Sequence, residues 1–391
     1  MSVIRESIKK LVDSEMNFNI DGIRDIMEIV KKFLYLKLDN KNIKKAVKLW
    51  CSDKFLAINW YGNISSWNTS NITNMRTLFM DCETFNDNIT NWNVSNVTDM
   101  SFMFSNACAF NQKIGNWDVS NVTNMQYMFN NAYSFNQQLS NWNVGSVTYM
   151  DAMFSNAKLF NKFIGHWDVR RVTNMSWMFY GATSFNQSIN NWIVKKVETM
   201  RSMFANAFAF NQQLSNWNVA SVQDMQSMFC NAKLFNQSIN NWNVSNVIVM
   251  CEMFDGAISF NQDIGYWNVS SVIRMENMFK NAKSFNQNIS SWNVSSVVRM
   301  ENMFCDAISF NQPINNWSVN NVTDMEMMFS GAITFNQPIN NWDVSKVKNM
   351  KKMFSNATSF NQPLNSWNIC NVENTTNMFE GAISFTQSIE N

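Results

Sequence analysis

Residues 92–116 read WNVSNVTDMSFMFSNACAFNQKIGN, and residues 117–141 read WDVSNVTNMQYMFNNAYSFNQQLSN. The second stretch repeats the first in register. Trp recurs at 67, 92, 117, 142, 167, 192, 217, 242, 267, 292, 317, 342 and 367, always 25 apart, so thirteen units fill residues 67–391. No insertion or deletion breaks the phase. Each unit must therefore sit on its neighbour in the same way, which is the signature of a solenoid.

Within a unit the apolar residues follow two spacings. In Ile89-Thr-Asn-Trp92-Asn-Val94, Trp and Val alternate with polar residues, as in a short strand with one buried face. Val97, Met100, Met103, Phe104, Ala107 and Phe110 then recur every three or four residues, the stripe of a helix or of successive helical turns. Ser95 or Thr98 suits the start of such a helix and Asn106 its end. The expected architecture is an α/β solenoid: a right-handed coil of thirteen strand–helix units with one parallel sheet. At ~4.8 Å per strand the sheet would run on the order of 60 Å. The Asn-Gln pair after the second Phe, as in Asn111-Gln112 and Asn136-Gln137, is expected to form a polar ladder that satisfies turn amides and carbonyls.

Bulk composition is consistent with a folded, weakly charged chain. Of 391 residues 46% are apolar, 14% aromatic and only 15% charged, which argues against disorder. A net charge of +1 creates no global field for nucleic acid or an anionic membrane. No apolar run approaches the ~20 residues that span a bilayer, and MSVIRESIKKLVDSEMNF reads as an amphipathic helix rather than a signal peptide. The seven cysteines (51, 82, 108, 230, 251, 305 and 370) form no CxxC pair and fall at five different places in the repeat plus one outside it, so reduced thiols are expected. Repeated Asn-Val-Ser and Asn-Val-Thr triplets would be glycosylated in a eukaryotic secretory route. The chain is therefore expected in the cytoplasm or within a virion.

The residues resemble a known family. Ile-x-x-Trp-x-Val is similar to the strand signature of leucine-rich repeats, and V-T-N-M-x-x-M-F-x-N-A-x-x-F resembles the BspA-like bacterial surface-antigen repeat. The nearest resemblance is to the 25–26-residue repeat of mycoplasma-lipoprotein-associated and bacterial surface proteins, with Ala46-Val-Lys-Leu-Trp50-Cys-Ser-Asp and Tyr61-Gly-Asn-Ile-Ser as its lead-in. It covers residues from about 43 to 391 and implies fold rather than activity. Val97 and its equivalents stand where leucine-rich repeats usually carry a strand-end Asn. The absent signal peptide favours an intracellular or large-DNA-virus branch over an adhesin.

Residues 1–66 differ in kind, with twelve Lys/Arg against eight Asp/Glu. Ile23, Ile26, Val30, Phe33 and Leu34 define one expected helix, and Ile43, Ala46, Val47 and Trp50 another. This segment is expected to be an α-helical cap over the first coil, with a docking helix pair as the competing reading. Unit 13 carries Cys370, Thr375 and Thr386 where Ser, Met and Asn are usual, as a terminal repeat would.

Little in the chain suggests catalysis. His166 is the lone histidine and replaces an Asn in a polar column; Glu276, Glu301 and Glu326 line up on adjacent units and are expected to be a solvated stripe. No phosphate-loop, zinc-protease or nucleophile-elbow motif occurs, so no enzyme activity, cofactor or metal is expected. Phe102, Tyr127 and Trp177 protrude on the helical side and are expected to pack sideways.

The repeat breaks its own rules in units 4–6. Positions flanking Trp and Val, normally Asn, Asp or Ser, become His166, Asp168, Arg170 and Arg171, then Ile193, Lys195 and Lys196, with Lys162 and Phe163 leading into the same edge. These nine residues are the candidate partner-binding patch, against a reading as neutral substitutions. The expected function is a non-enzymatic scaffold that recognises a protein through its solenoid face. A structural component of a virion or surface layer is the alternative. Nucleic-acid or glycan binding is a third class, which the patch or the Asn/Ser carpet would serve.

Overall fold

The computed structural model describes residues 37–387. The 25-residue units form a solenoid of stacked coils, and the core runs through them as continuous ladders. Val97, Met100, Met103, Phe104, Ala107 and Phe110 are all fully buried, as are their counterparts in the middle coils. Phe104 and Phe110 stack within one coil at 3.8 Å between centroids, and each also stacks on the next coil, at 5.6 Å to Phe129 and 5.8 Å to Phe135. Each repeat Trp lies inward, and from Trp92 onward its indole N–H is satisfied 28 residues back: Trp92 Nε1 donates to the Ile64 carbonyl at 2.9 Å, and Trp217 Nε1 to that of Ile189 at 3.0 Å.

The strand expected over Ile89–Val94 and the helix expected from Val97 to Phe110 do not form. Neighbouring coils instead meet at single parallel bridges, twelve in all, running from Asn74–Asp99 to Asn349–Asn374. Counting each Trp as place 1 of its unit, the bridge sits at place 8. After it come stacked turns whose amides alternate between two kinds of acceptor. The Met100, Phe102, Phe104 and Asn106 N–H groups donate to the next coil, to the carbonyls of Asn124, Gln126, Met128 and Asn130 at 2.8–2.9 Å. Between them Met103, Ser105 and Ala107 donate three residues back within the coil, at 3.0–3.2 Å, and Ser101 N–H is taken by Asp99 Oδ1. Every amide from 100 to 107 is thus accounted for. An α-helix would have used these donors internally and left the coils without that backbone tie.

This arrangement needs left-handed backbone at two places per coil. Place 15 has positive φ throughout and holds only Asn, Asp or Gly, from Asp81 (62°) and Asn106 (61°) to Gly381 (73°). Those are the residues that tolerate this region. Place 11 is also left-handed yet holds Phe102, Tyr127, Trp177, Lys352 and others. Phe102 and Tyr127 stack at 4.7 Å, Arg76 lies over Phe102 and Arg201 over Trp177, so these side chains do pack sideways.

The expected Asn-Gln ladder is present. Asn86 Oδ1 accepts from Asn111 N–H at 2.9 Å and from Gln112 Nε2 at 2.9 Å, and the motif repeats up the array. The expected helix over residues 23–34 lies outside the described residues. Helix α1 (Ile43–Ser52) buries Ile43, Ala46, Val47 and Trp50, and α2 (Lys54–Tyr61) begins at Asp53, whose side chain caps Leu56 N–H. Both lie before the first coil. Asn40 Oδ1 accepts from Thr73 N–H (3.0 Å) and Asn74 N–H (3.3 Å), replacing the carbonyl a preceding coil would offer. Trp50 meets Trp67 edge-on at 5.8 Å, and its indole donates to Asp87 at 2.7 Å.

Candidate functional site

The corner after most of the repeat Trp residues is an Asx turn. At place 2 an Asn or Asp side chain accepts the N–H two residues on, as Asn93 does from Ser95 (3.0 Å) and Asp118 from Ser120 (3.1 Å). The Asn/Asp carpet at this corner therefore has a local structural cause. Ser120 also donates its hydroxyl to Asp118, which with the turn bond holds that carboxyl below the usual carboxylate range.

Units 4–6 depart from this scheme. Asp168 keeps the turn bond to Arg170 N–H at 3.2 Å, and Arg170 folds back on it as a fork, Nε to Oδ1 at 2.8 Å and Nη2 to Oδ2 at 2.7 Å. Those side-chain bonds hold Asp168 below the ordinary carboxylate range. Ile193, one coil on, has no turn acceptor and is 56% exposed. Asp168, Arg170, Arg171 and Lys196 share one shallow concavity of about 420 Å³ with Gly145. Gly145 stands where Ser is commonest, and a Cβ there would approach Asp168 Oδ2 to 3.5 Å, so its absence opens the floor of the concavity. Sequence reading passed over Gly145; its signal was the loss of a side chain beside the charged cluster.

The structure therefore gathers part of the expected patch. Lys195 is exposed on the same corner but does not line the concavity. Lys162, Phe163 and His166 belong to the preceding edge of unit 4. There Phe163 lies 5.7 Å from the His166 ring and covers Gly165, where a Cβ would come within 2.8 Å of it. Lys162 takes the place of the ladder Gln. Two corrections follow. The cluster sits on the turn corner rather than on a sheet face, because the inter-coil bridge lies further along at place 8. Arg170 is neutralised by its own Asp168, which leaves Arg171, Lys195 and Lys196 without an ion pair among the described residues.

The acidic column also differs from expectation. Glu276 and Glu301 are not solvated: their side chains are 7% and 12% exposed and pair with Arg274 and Arg299. Each leaves a buried Oε2 without a hydrogen-bond partner. Glu326 is more open and bonds Lys351 (2.9 Å) and Asn349 (3.0 Å). The Arg two residues ahead of each buried Glu neutralises it, a pairing the column alone does not reveal. Among the described residues no group of three His, Cys, Asp or Glu could hold a metal ion, and no helix is long and apolar enough to cross a membrane.

No curated protein matches the sequence. Among solved structures, the TLR13–ssRNA13 complex is 7% identical with a TM-score of 0.22, covering 76% of this chain and 49% of that one. The chain thus spans about half the length of that protein. A leucine-rich-repeat protein of Leptospira interrogans is likewise 7% identical, with a TM-score of 0.17, 76% of this chain and 86% of that one. Neither likeness is close enough to carry function. The family described as "Mycoplasma protein of unknown function, DUF285" matches residues 50–162, 137–240, 213–312 and 285–391, overlapping segments that together run through the whole repeat array. The chain belongs to that family of tandem-repeat proteins.

Proposed function

We propose that this protein is a non-enzymatic recognition scaffold, and that the turn corner of coils 4–6 contacts an acidic surface of a partner protein. One observation carries the reading. On a corner where most units carry Asn, Asp or Ser and Lys346 is the one cation outside coils 4–6, Arg171 and Lys196 line a concavity without ion-pair partners among the described residues, and Gly145 clears its floor. Arg170, forked to Asp168, is held rigid beside them. Exposed Ile193 and Phe163 add apolar contact area on either side. Carboxylates of a partner would be steered to this corner and held there by charge-assisted hydrogen bonds.

The test is the double reversal Arg171→Glu with Lys196→Glu, followed by affinity capture from the native source at low and high salt. The wild type should capture a salt-sensitive partner that the variant loses, at an unchanged melting temperature. Retention of every captured protein by a folded variant would remove the corner from consideration.

A second reading, assembly as a structural component, rests on a different edge. Tyr133, Leu159, Phe208, Leu234, Ile258 and Ile333 are exposed at places 17 or 18 of their units and so recur along one side. Sedimentation velocity separates the two: concentration-dependent self-association that survives the charge reversal supports assembly.

A further inference from the structure

Place 16 is Ala in twelve of the thirteen units, from Ala107 to Ala382, where it packs between coils. The first unit alone has Cys82, in the coil that lies next to α1. Opposite it, on the last turn of α1, is Cys51. Though 31 positions apart in the chain, the two thiols come close enough to interact. They also line one open cavity of about 660 Å³, together with Trp50, Lys54, Asp81 and Asp87. A sulfur replaces the usual methyl only where the helical segment brings a second sulfur to meet it.

We propose that Cys51 and Cys82 are a reversible redox clasp, whose disulfide locks the N-terminal helices onto the first coil. The hydrogen bond from Cys51 holds the Cys82 thiol below its ordinary range, against burial and the nearby Asp81, and raises Cys51 itself. In such a pair Cys82 can attack as thiolate and Cys51 resolve. With a small disulfide such as oxidised glutathione as oxidant, Cys82 Sγ attacks one sulfur and expels the first glutathione thiolate. Cys51 then gives up its proton, attacks Cys82 Sγ and expels the second. Two protein thiols and one disulfide become one protein disulfide and two glutathione thiols. Three other cysteines are poorly suited to compete: burial pushes the Cys230, Cys251 and Cys305 thiols up to about 12, so little thiolate forms there.

The full chain is equilibrated in graded mixtures of reduced and oxidised glutathione, then read by peptide mapping and amide hydrogen exchange. The expected product is a Cys51–Cys82 cross-linked peptide formed in one two-electron step. Amides of α1 should exchange about tenfold more slowly, because the loop closed between the two residues is constrained. Cys82→Ala restores the residue that the other twelve coils carry, so it should fold, form no cross-link and make α1 exchange indifferent to oxidant. Glutathione adducts at either cysteine without cross-linking overturn the proposal. So does a cross-link that leaves α1 exchange unchanged, or an oxidant response that persists in Cys82→Ala.

Discussion

Asn211 serves two donors of the following coil at once, accepting from Asn236 N–H at 3.0 Å and from Gln237 Nε2 at 3.0 Å. The same single oxygen does this in rung after rung, which explains why place 20 is Asn in every unit except the last, where Thr386 stands. The Gln is the more dispensable member, since Lys162 replaces it while Asn161 N–H still reaches Asn136 at 3.1 Å. Asn211→Ala should leave a part-buried amide without its acceptor and cost about 1–3 kcal/mol. Asn211→Asp keeps the oxygen and should cost less. Urea midpoints of the two variants check the ordering; equal losses would show that side-chain packing, not the acceptor, matters. This ladder was legible in the sequence because identical residues at identical places must meet themselves across coils.

At the scale of the turn, the expected helix and the observed stacked turns bury the same residues. Spacings of three and four report which side chains face the core, and two successive three-residue hydrogen-bonded turns satisfy them as well as an α-helix does. The clue against a helix was the restriction of place 15 to Asn, Asp and Gly, well inside the apolar stripe. Place 11 carries the same backbone without that restriction, so residues such as Lys352 (φ 54°) hold a strained conformation there. The strain is tolerated because Lys352 N–H is tied to the Thr376 carbonyl of the next coil at 3.0 Å. Lys352→Gly should therefore raise stability by up to about 1 kcal/mol, the reverse of the usual effect of glycine. Asn356→Val, at place 15 of the same coil, should lower it by more. Denaturant titration of both variants tests the assignment, and a destabilising Lys352→Gly would count against strain at place 11.

For the molecule as a whole, stability is a chain of nearest-neighbour contacts. Trp217 stacks between Trp192 at 6.5 Å and Trp242 at 6.4 Å, and its indole N–H is bonded to Ile189. Trp217→Ala should open a cavity and cost about 3–5 kcal/mol. The loss should be local: hydrogen exchange ought to accelerate in the coils on either side of residue 217 while α1 and the first coil remain protected. Uniform acceleration along the array would contradict a nearest-neighbour chain. The candidate binding corner belongs to this scale as well. Its departure from the repeat was visible in sequence, but Arg170 folding onto Asp168 depends on a turn geometry that no column of residues reveals.

Thirteen units, their inward Trp, Met and Phe, the polar ladder and the odd composition of units 4–6 are all properties of residues at fixed intervals. The sequence by itself determined them, because stacking repeats its demands at every coil. How the backbone travels between buried positions is a different matter. It depends on whether each amide finds its acceptor within the coil or across to the next, and that choice is settled only when the coils are side by side. The same holds for the sealed first coil, the buried Glu276 and Glu301, and the meeting of Cys51 with Cys82. Each is a contact between residues distant in the chain or a burial imposed by neighbours, and only the tertiary structure brings those about.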